Sequence, residues 1–248
     1  VSRPVAVVTG AGSGIGAAIA RRLAPSHDLL ATHLTDGPDI AHVADRVHAR
    51  GGQFEVVFGD LTADDTIDRL GTAIHRHGPR LQALVCNAGA YPRIPWLQLT
   101  RQQLRHALDL HLHAHLACAH AATPHLIRHG DGRIVMISSV LTQIGRVDLT
   151  HYIAAKGALE AAAHALAREL GPHHVTVNTI RAGSIEVPAE HTVVPDHHAM
   201  VTRQLARQCI PRRGHPDDVA AAVAYLISAE AGFITGQTLA VDGGWHLT

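Results

Sequence analysis

The sequence predicts a single doubly wound α/β domain: a parallel sheet of about seven strands with helices on both faces. Three observations carry this prediction. Short apolar runs alternate with helical stretches along the whole chain. A glycine-rich turn, Gly10-Ala11-Gly12-Ser13-Gly14-Ile15-Gly16, separates the first run from the first helical stretch. No shift in composition and no long repeat divides the 248 residues, a length that one core can serve.

The elements follow in order. Val5 to Thr9 is a continuous run suited to a central parallel strand, and Ala17 to Leu23 is a helix ending before Pro25. The glycines between them let backbone approach a pyrophosphate, and the helix N-terminus offers free N–H groups. Asp28 to Leu34 reads as the second strand. Ile40 to Arg50 is an amphipathic helix closed by Gly51-Gly52. Phe54 to Phe58 is the third strand, followed by Gly59-Asp60-Leu61-Thr62, and Asp64 to His77 is a helix stopped by Gly78-Pro79. Leu81 to Cys86 is the fourth strand and opens into Asn87-Ala88-Gly89-Ala90. Arg101 to His129 is a long helical stretch in which Pro124 predicts a kink or an end. Arg133 to Ser138 is the fifth strand, Thr150 to Leu170 a helix and Val175 to Ile180 the sixth strand. Pro216 to Ser228 is a late helix with proline in its first turn, and Gln237 to Val241 a final strand. The stretch from Gly183 to Cys209 has poor periodicity. An irregular segment at a strand's carboxyl end predicts a substrate lid at about 184–210.

Candidate chemistry lies in His151-Tyr152-Ile153-Ala154-Ala155-Lys156, with Ser139 thirteen residues before the tyrosine. Four residues apart on a helix, Tyr152 and Lys156 share one face. An ammonium beside a phenol is expected to lower the phenol pKa and give a general acid/base near neutral pH. Ser139 follows a buried strand at its carboxyl end, where open α/β sheets place ligands.

Bulk properties exclude several classes. Net charge is zero, so nucleic acid and acidic membranes have no electrostatic attraction to offer. The 22 histidines make stability pH-dependent below about pH 6.5. They form no His-Glu-x-x-His motif, and no metal site is expected. Three scattered cysteines give no disulfide framework and fit a reducing compartment. No charged-then-apolar leader precedes the first strand and no apolar run reaches membrane-spanning length, so a cytoplasmic location is expected.

Together these residues resemble the classical short-chain dehydrogenase/reductase family over essentially the whole chain. Thr9-Gly10-x-x-x-Gly14-x-Gly16 is similar to the family's cofactor loop, Asp60 to its adenine-side acid, and Asn87-Ala88-Gly89 to its sheet-stabilising motif. Ser139, Tyr152 and Lys156 match its catalytic residues. The resemblance implies a Rossmann-like fold and a nicotinamide cofactor held by Gly10, Ser13, Gly14, Ile15, Gly16, Asp60, Leu61, Asn87, Ala88, Gly89, Tyr152, Lys156, Gly183 and Ile185. It also implies a homotetramer or homodimer. Apolar positions on the two long helices, Leu108, Leu112, Leu116 and Ala119 on one and Ala158, Ala162 and Leu166 on the other, suit such an interface.

The sequence departs from the family in three places. His111 stands where the family has a catalytic Asn, Ala182 replaces the Pro of a Pro-Gly pair, and Val187 replaces a cofactor-contacting Thr. A relay role for His111 and a simple packing role are both open. Leu34 occupies the strand end where NAD-binding folds carry an acid, which favours NADP(H) over NAD(H). Asp36, two residues on, could still hold the ribose of NAD(H).

The implied reaction is reduction of a ketone, as in 3-oxoacyl or polyketide ketoreductases. Oxidation of a cyclic or sugar-like alcohol and a cofactor-binding scaffold without catalysis are the alternatives. Tyr91, Pro92, Trp96, Val140, Leu141, Gln143 and the 188–205 segment are expected to wall a largely apolar pocket with few fixed charges, suited to an uncharged cyclic or acyl ketone.

Overall fold

The computed structural model describes residues 3–188 and 197–247. Seven strands form one parallel sheet in the order β3-β2-β1-β4-β5-β6-β7. They are β1 (Val5–Val8), β2 (Asp28–His33), β3 (Phe54–Phe58), β4 (Leu81–Cys86), β5 (Arg133–Ser139), β6 (Thr176–Ala182) and β7 (Thr238–Val241). The doubly wound sheet expected from the sequence is therefore present. Strand order reverses between β1 and β4, and such a reversal opens a crevice at the strands' carboxyl ends.

The helices are α1 (Gly14–Leu23), α2 (Pro38–His48), α3 (Asp64–His77), α4 (Arg101–Leu108), α5 (Ala114–His129), α6 (Leu141–Ile144), α7 (Thr150–Leu170), α8 (His197–Leu205) and α9 (Pro216–Ile227). Side chains alternate across a strand, so β1 feeds two cores. Ala6 and Val8 pack with Ile19, Leu23 and Val43 of α1 and α2 and with Val219 and Val223 of α9. Val5 and Val7 pack with Leu70 and Ile74 of α3, Leu126 of α5 and Leu159 of α7. All four β1 residues are fully buried, which is why that run contains no polar side chain.

The long helical stretch differs from the sequence expectation. Pro124 neither ends nor splits it, and α5 runs through to Gly130, whose φ of 80° closes it. The irregularity falls earlier, at a π-helical turn, Asp109–His113, between α4 and α5. Thr100 starts α4 with a capping box, its hydroxyl accepting from the Gln103 N–H. Within the segment expected to form a lid, Ile185 pairs with Gly214 and α8 covers 197–205, while 189–196 lie outside the described residues. No described helix is long and apolar enough to cross a membrane.

Candidate active site

A cleft of about 550 Å³ runs along the carboxyl ends of β1, β2, β4, β5 and β6. At one end lies the glycine turn. Thr9 Oγ1 accepts the N–H groups of Asn87 (2.8 Å) and Ala88 (3.0 Å), and Asn87 Nδ2 donates to the carbonyls of Thr9 (3.0 Å) and Gly10 (3.2 Å). These bonds clamp the ends of β1 and β4 across the strand-order reversal. Gly16 makes the clamp possible, because a Cβ there would lie 2.1 Å from the Gly10 carbonyl oxygen and 2.6 Å from Asn87 Nδ2. Gly16 packs beneath the turn, whereas Gly10, Ser13, Gly14 and Ile15 line the cleft. Ser13 precedes α1 in extended conformation and its side chain makes no cap hydrogen bond. The helix N-terminus thus opens beside a turn with little side-chain bulk, a geometry that fits a dinucleotide's pyrophosphate.

Asp60, Leu61, Asn87, Ala88, Gly89, Gly183 and Ile185 also line the cleft. Asp36 does not. Its carboxylate accepts the N–H of its neighbour Gly37 at 2.9 Å on the exposed side of the loop, outside the cleft wall. The β2 wall is built instead by Thr32, His33 and Leu34. The His33 ring lies against Gly12, where a Cβ would come within 2.4 Å of Cε1. His33 was missed because a histidine ending a strand carries no signal. Only the register, two residues from the fully buried Ala31, indicates its place.

The reacting end is formed where β5 meets α7. Ser139, at the end of β5, accepts the Leu141 N–H at 3.2 Å, and its hydroxyl favours the ionised form of the Tyr152 phenol. Lys156 is 3% exposed, and its Nζ donates to the Ile137 carbonyl at 2.6 Å. The electrostatics correct the expectation drawn from spacing. Burial pushes Tyr152 up to about 12, with Ser139 opposing and Tyr91 adding, so the phenol keeps its proton near neutral pH. Burial likewise lowers Lys156 to about 8, while Cys86 and Glu160 favour its charged form.

Behind this end sits a buried ion pair. Arg181 of β6 donates through Nε and Nη2 to Glu160 of α7 at 3.0 and 2.7 Å. Ser138 and Thr142 hydroxyls donate to the same carboxylate at 2.6 and 3.0 Å. Four donors on one carboxylate join β5, β6, α6 and α7.

His111 lies in the π turn, 2% exposed. Its ring meets that of Tyr152 edge-on, with centroids 5.0 Å apart. Its Nε2 donates to the Ala90 carbonyl at 2.6 Å, which leaves Nδ1 as an acceptor, buried and without a partner. Burial first, then Lys156, holds His111 at about 3, so it is neutral. One turn on, His115 is fully buried, donates from Nε2 to the Ala88 carbonyl at 3.0 Å, and is held well below its ordinary value by burial and by Lys156.

The substrate wall also differs from expectation. Tyr91, Val140 and Leu141 line it, and the Tyr91 ring sits 6.0 Å from that of Tyr152. Pro92, Gln143 and Trp96 are exposed and lie outside the wall. Arg93, Arg146 and His106 line it instead, so the pocket is not poor in fixed charge. Arginines in loops read as solvated in a sequence, and nothing in their spacing marks them as inward-facing. Among the described residues no three His, Cys, Asp or Glu side chains cluster to hold a metal ion.

Comparison with known proteins agrees with this geometry. Residues 10–246 match the family model described as Enoyl-(Acyl carrier protein) reductase. The short-chain reductase protein NovJ of Streptomyces niveus is 34% identical over 246 residues, 97% of this chain and 93% of that one. The cis-4-hydroxycyclohexanecarboxylate dehydrogenase of Sinomonas cyclohexanicum is 34% identical over 243 residues, 97% and 96% of the two chains. Among solved structures, a blue fluorescent protein from a metagenomic library in complex with NADPH aligns with a TM-score of 0.90 at 30% identity, covering 98% of each chain. The chain is an NAD(P)-dependent oxidoreductase of the short-chain dehydrogenase/reductase family.

Proposed function

We propose that this enzyme reduces a ketone to a secondary alcohol, with NADP(H) preferred to NAD(H). The observation that carries the reading is the convergence of the Ser139 hydroxyl, a protonated Tyr152 and Lys156 at one end of a cleft whose other end is a glycine cradle. When bound, the nicotinamide supplies the hydride. Gly10, Ser13, Gly14, Ile15, Asp60, Leu61, Asn87, Ala88, Gly89, Gly183 and Ile185 hold the dinucleotide. The exposed position of Asp36 supports NADP(H), because the β2 wall then presents no carboxylate to a 2′-phosphate.

Tyr152 donates its phenolic proton to the carbonyl oxygen, and Ser139 holds that oxygen and stabilises its developing charge. Lys156 holds the nicotinamide ribose and keeps positive charge near the phenol. His111 acts as a positioning residue: its neutral ring braces Tyr152 and its Nδ1 accepts a proton-bearing partner in the relay that resupplies the phenol. Alcohol oxidation is the same chemistry reversed, and the dehydrogenase relative makes a cyclic alcohol the substrate to try in that direction. The enzyme works as a homodimer or homotetramer through α4–α5 and α7, on which Leu108, Leu112, Leu116, Ala158, Ala162 and Leu166 remain partly exposed, whereas Ala119 is buried in the core and offers no such surface. Light scattering at micromolar concentration should give twice or four times the chain mass.

Tyr152→Phe tests the reading. Turnover of a ketone panel should fall by about a hundredfold or more, the low end for a lost general acid, with NADPH binding retained. Near-normal turnover would exclude Tyr152 as the proton donor.

A further inference from the structure

We propose that Arg93 and Arg146 form a recognition site for an anionic group on the substrate, resting on the reading that the neighbouring Tyr152 acts on a carbonyl. Both arginines line the cleft that Ser139 and Tyr152 line. Among the described residues neither side chain makes a hydrogen bond or ion pair, and Arg93 Nε is buried without a partner. A guanidinium left without its hydrogen bonds inside a cleft is costly in the free enzyme, and a bidentate oxyanion satisfies it.

The two arginines are held by the backbone. The Ile94 N–H, next to Arg93, donates to the carbonyl of Asp148, two residues from Arg146, at 2.8 Å. Asp148 adopts φ of 66°, uncommon for a residue with a side chain, and Gly145, before Arg146, also has φ of 66°. The two arginine-bearing loops are thus tied to each other at the mouth. The surroundings add positive charge. Arg203 and Arg207 lie at and just beyond the end of α8, and the affinity of Arg146 for its own proton is lowered by burial first and then by Arg93, Arg207 and Arg203, with Asp148 opposing. Among the described residues four cations and one opposing carboxylate act at this mouth, a field that attracts an anion into the cleft that holds the reacting carbonyl.

Two sources of the anion fit: the carboxylate of a small oxo acid, or the phosphate of a carried acyl group. Binding to the enzyme saturated with NADP⁺, measured by calorimetry, separates them without requiring turnover. The first pair of probes is cyclohexanecarboxylate and cyclohexanecarboxamide. The second is 4′-phosphopantetheine and pantetheine. We expect the charged member of at least one pair to bind about tenfold or more tightly, about 1.4 kcal/mol. That preference should shrink as salt rises from 0.05 to 0.5 M and vanish in Arg93→Gln/Arg146→Gln. Preference within the first pair identifies a small acid, and within the second a carried acyl group. No preference in either pair, or a preference that survives the double variant, overturns the proposal. If the double variant no longer binds NADPH, Arg146→Gln alone makes the comparison. Because no catalysis is involved, the result is independent of the Tyr152→Phe test. An enzyme that distinguishes the probes but reduces no ketone would retain the anion site and lose the assigned reaction.

Discussion

Replacing Glu160 by methionine strands the Arg181 guanidinium between β6 and α7. The carboxylate it loses is 8% exposed and Arg181 19%, so water restores little. Three donors lose their acceptor at once, two from Arg181 and the hydroxyl of Ser138, whereas the Thr142 hydroxyl keeps the Ser139 carbonyl at 2.9 Å. Breaking one partner of a buried ion pair costs about 3–5 kcal/mol. For a chain of this size each kcal/mol moves Tm by about 2–4 °C, so Tm should drop by roughly 6–20 °C. The double variant Glu160→Met/Arg181→Met removes both charges and should recover most of that loss, because a buried pair contributes far less than its half-broken form costs. Differential scanning calorimetry of wild type, both single variants and the double variant decides the matter. A double variant no more stable than Glu160→Met would show that the stranded charge is not the source of the loss. The same substitution removes one of the two groups that favour the charged form of Lys156, so its pKa should fall further.

Other outcomes follow from the site. If His111 serves the relay, His111→Ala should lower turnover about tenfold or more and His111→Asn should keep most of it, whereas wild-type activity in His111→Leu would leave it a packing residue only. Stability should fall in acid. Unfolded His111 takes up a proton near pH 6.5, whereas the folded residue does so only near 3, so the unfolded state binds more protons between those values. Its contribution is complete above about pH 6.5 and is lost progressively below it, the loss reaching about 1.4 kcal/mol at pH 5.5. His115 is shifted in the same direction, by burial first and then by Lys156, and should add to the loss. Equal urea midpoints at pH 7.5 and 5.5 would contradict this. Gly16→Ala should weaken NADPH binding about tenfold or more by fluorescence titration, because the new methyl displaces the Gly10 carbonyl; unchanged affinity would mean that the turn tolerates the shift.

The strands were legible because each carries a short apolar or β-branched stretch near turn residues, and β3 and β4 begin and end where composition changes. The spacing of the proposed catalytic pair was legible because a helix places Tyr152 and Lys156 one turn apart. What spacing cannot convey is where a flexible side chain finds its acceptor: Lys156 bonds the Ile137 carbonyl, and burial rather than the ammonium dominates the Tyr152 equilibrium. Loops were the least legible. Trp96 has the apolar surface of a pocket wall yet is 66% exposed, and Arg93, three residues before it, turns inward. Asp36 had the right chemistry for a ribose, but the loop after β2 carries it outside the cleft.

The π turn at Asp109–His113 makes the length of this segment a constraint beside its residue identities. Such a turn holds one residue more than an α-helix needs. Each residue advances an α-helix by about 100°. Adding one more residue between 109 and 113 would rotate the two halves against each other by about that angle, and His111 would leave the Tyr152 ring or His115 the Ala88 carbonyl. Deleting one would instead let the segment close into an unbroken α-helix with α4 and α5 still in phase, and only the side chains carried by the bulge would shift. Substitution at 111 is therefore an adjustment of chemistry, a deletion asks whether the bulge itself is needed to bring His111 to Tyr152, and an insertion takes apart the alignment of the two halves.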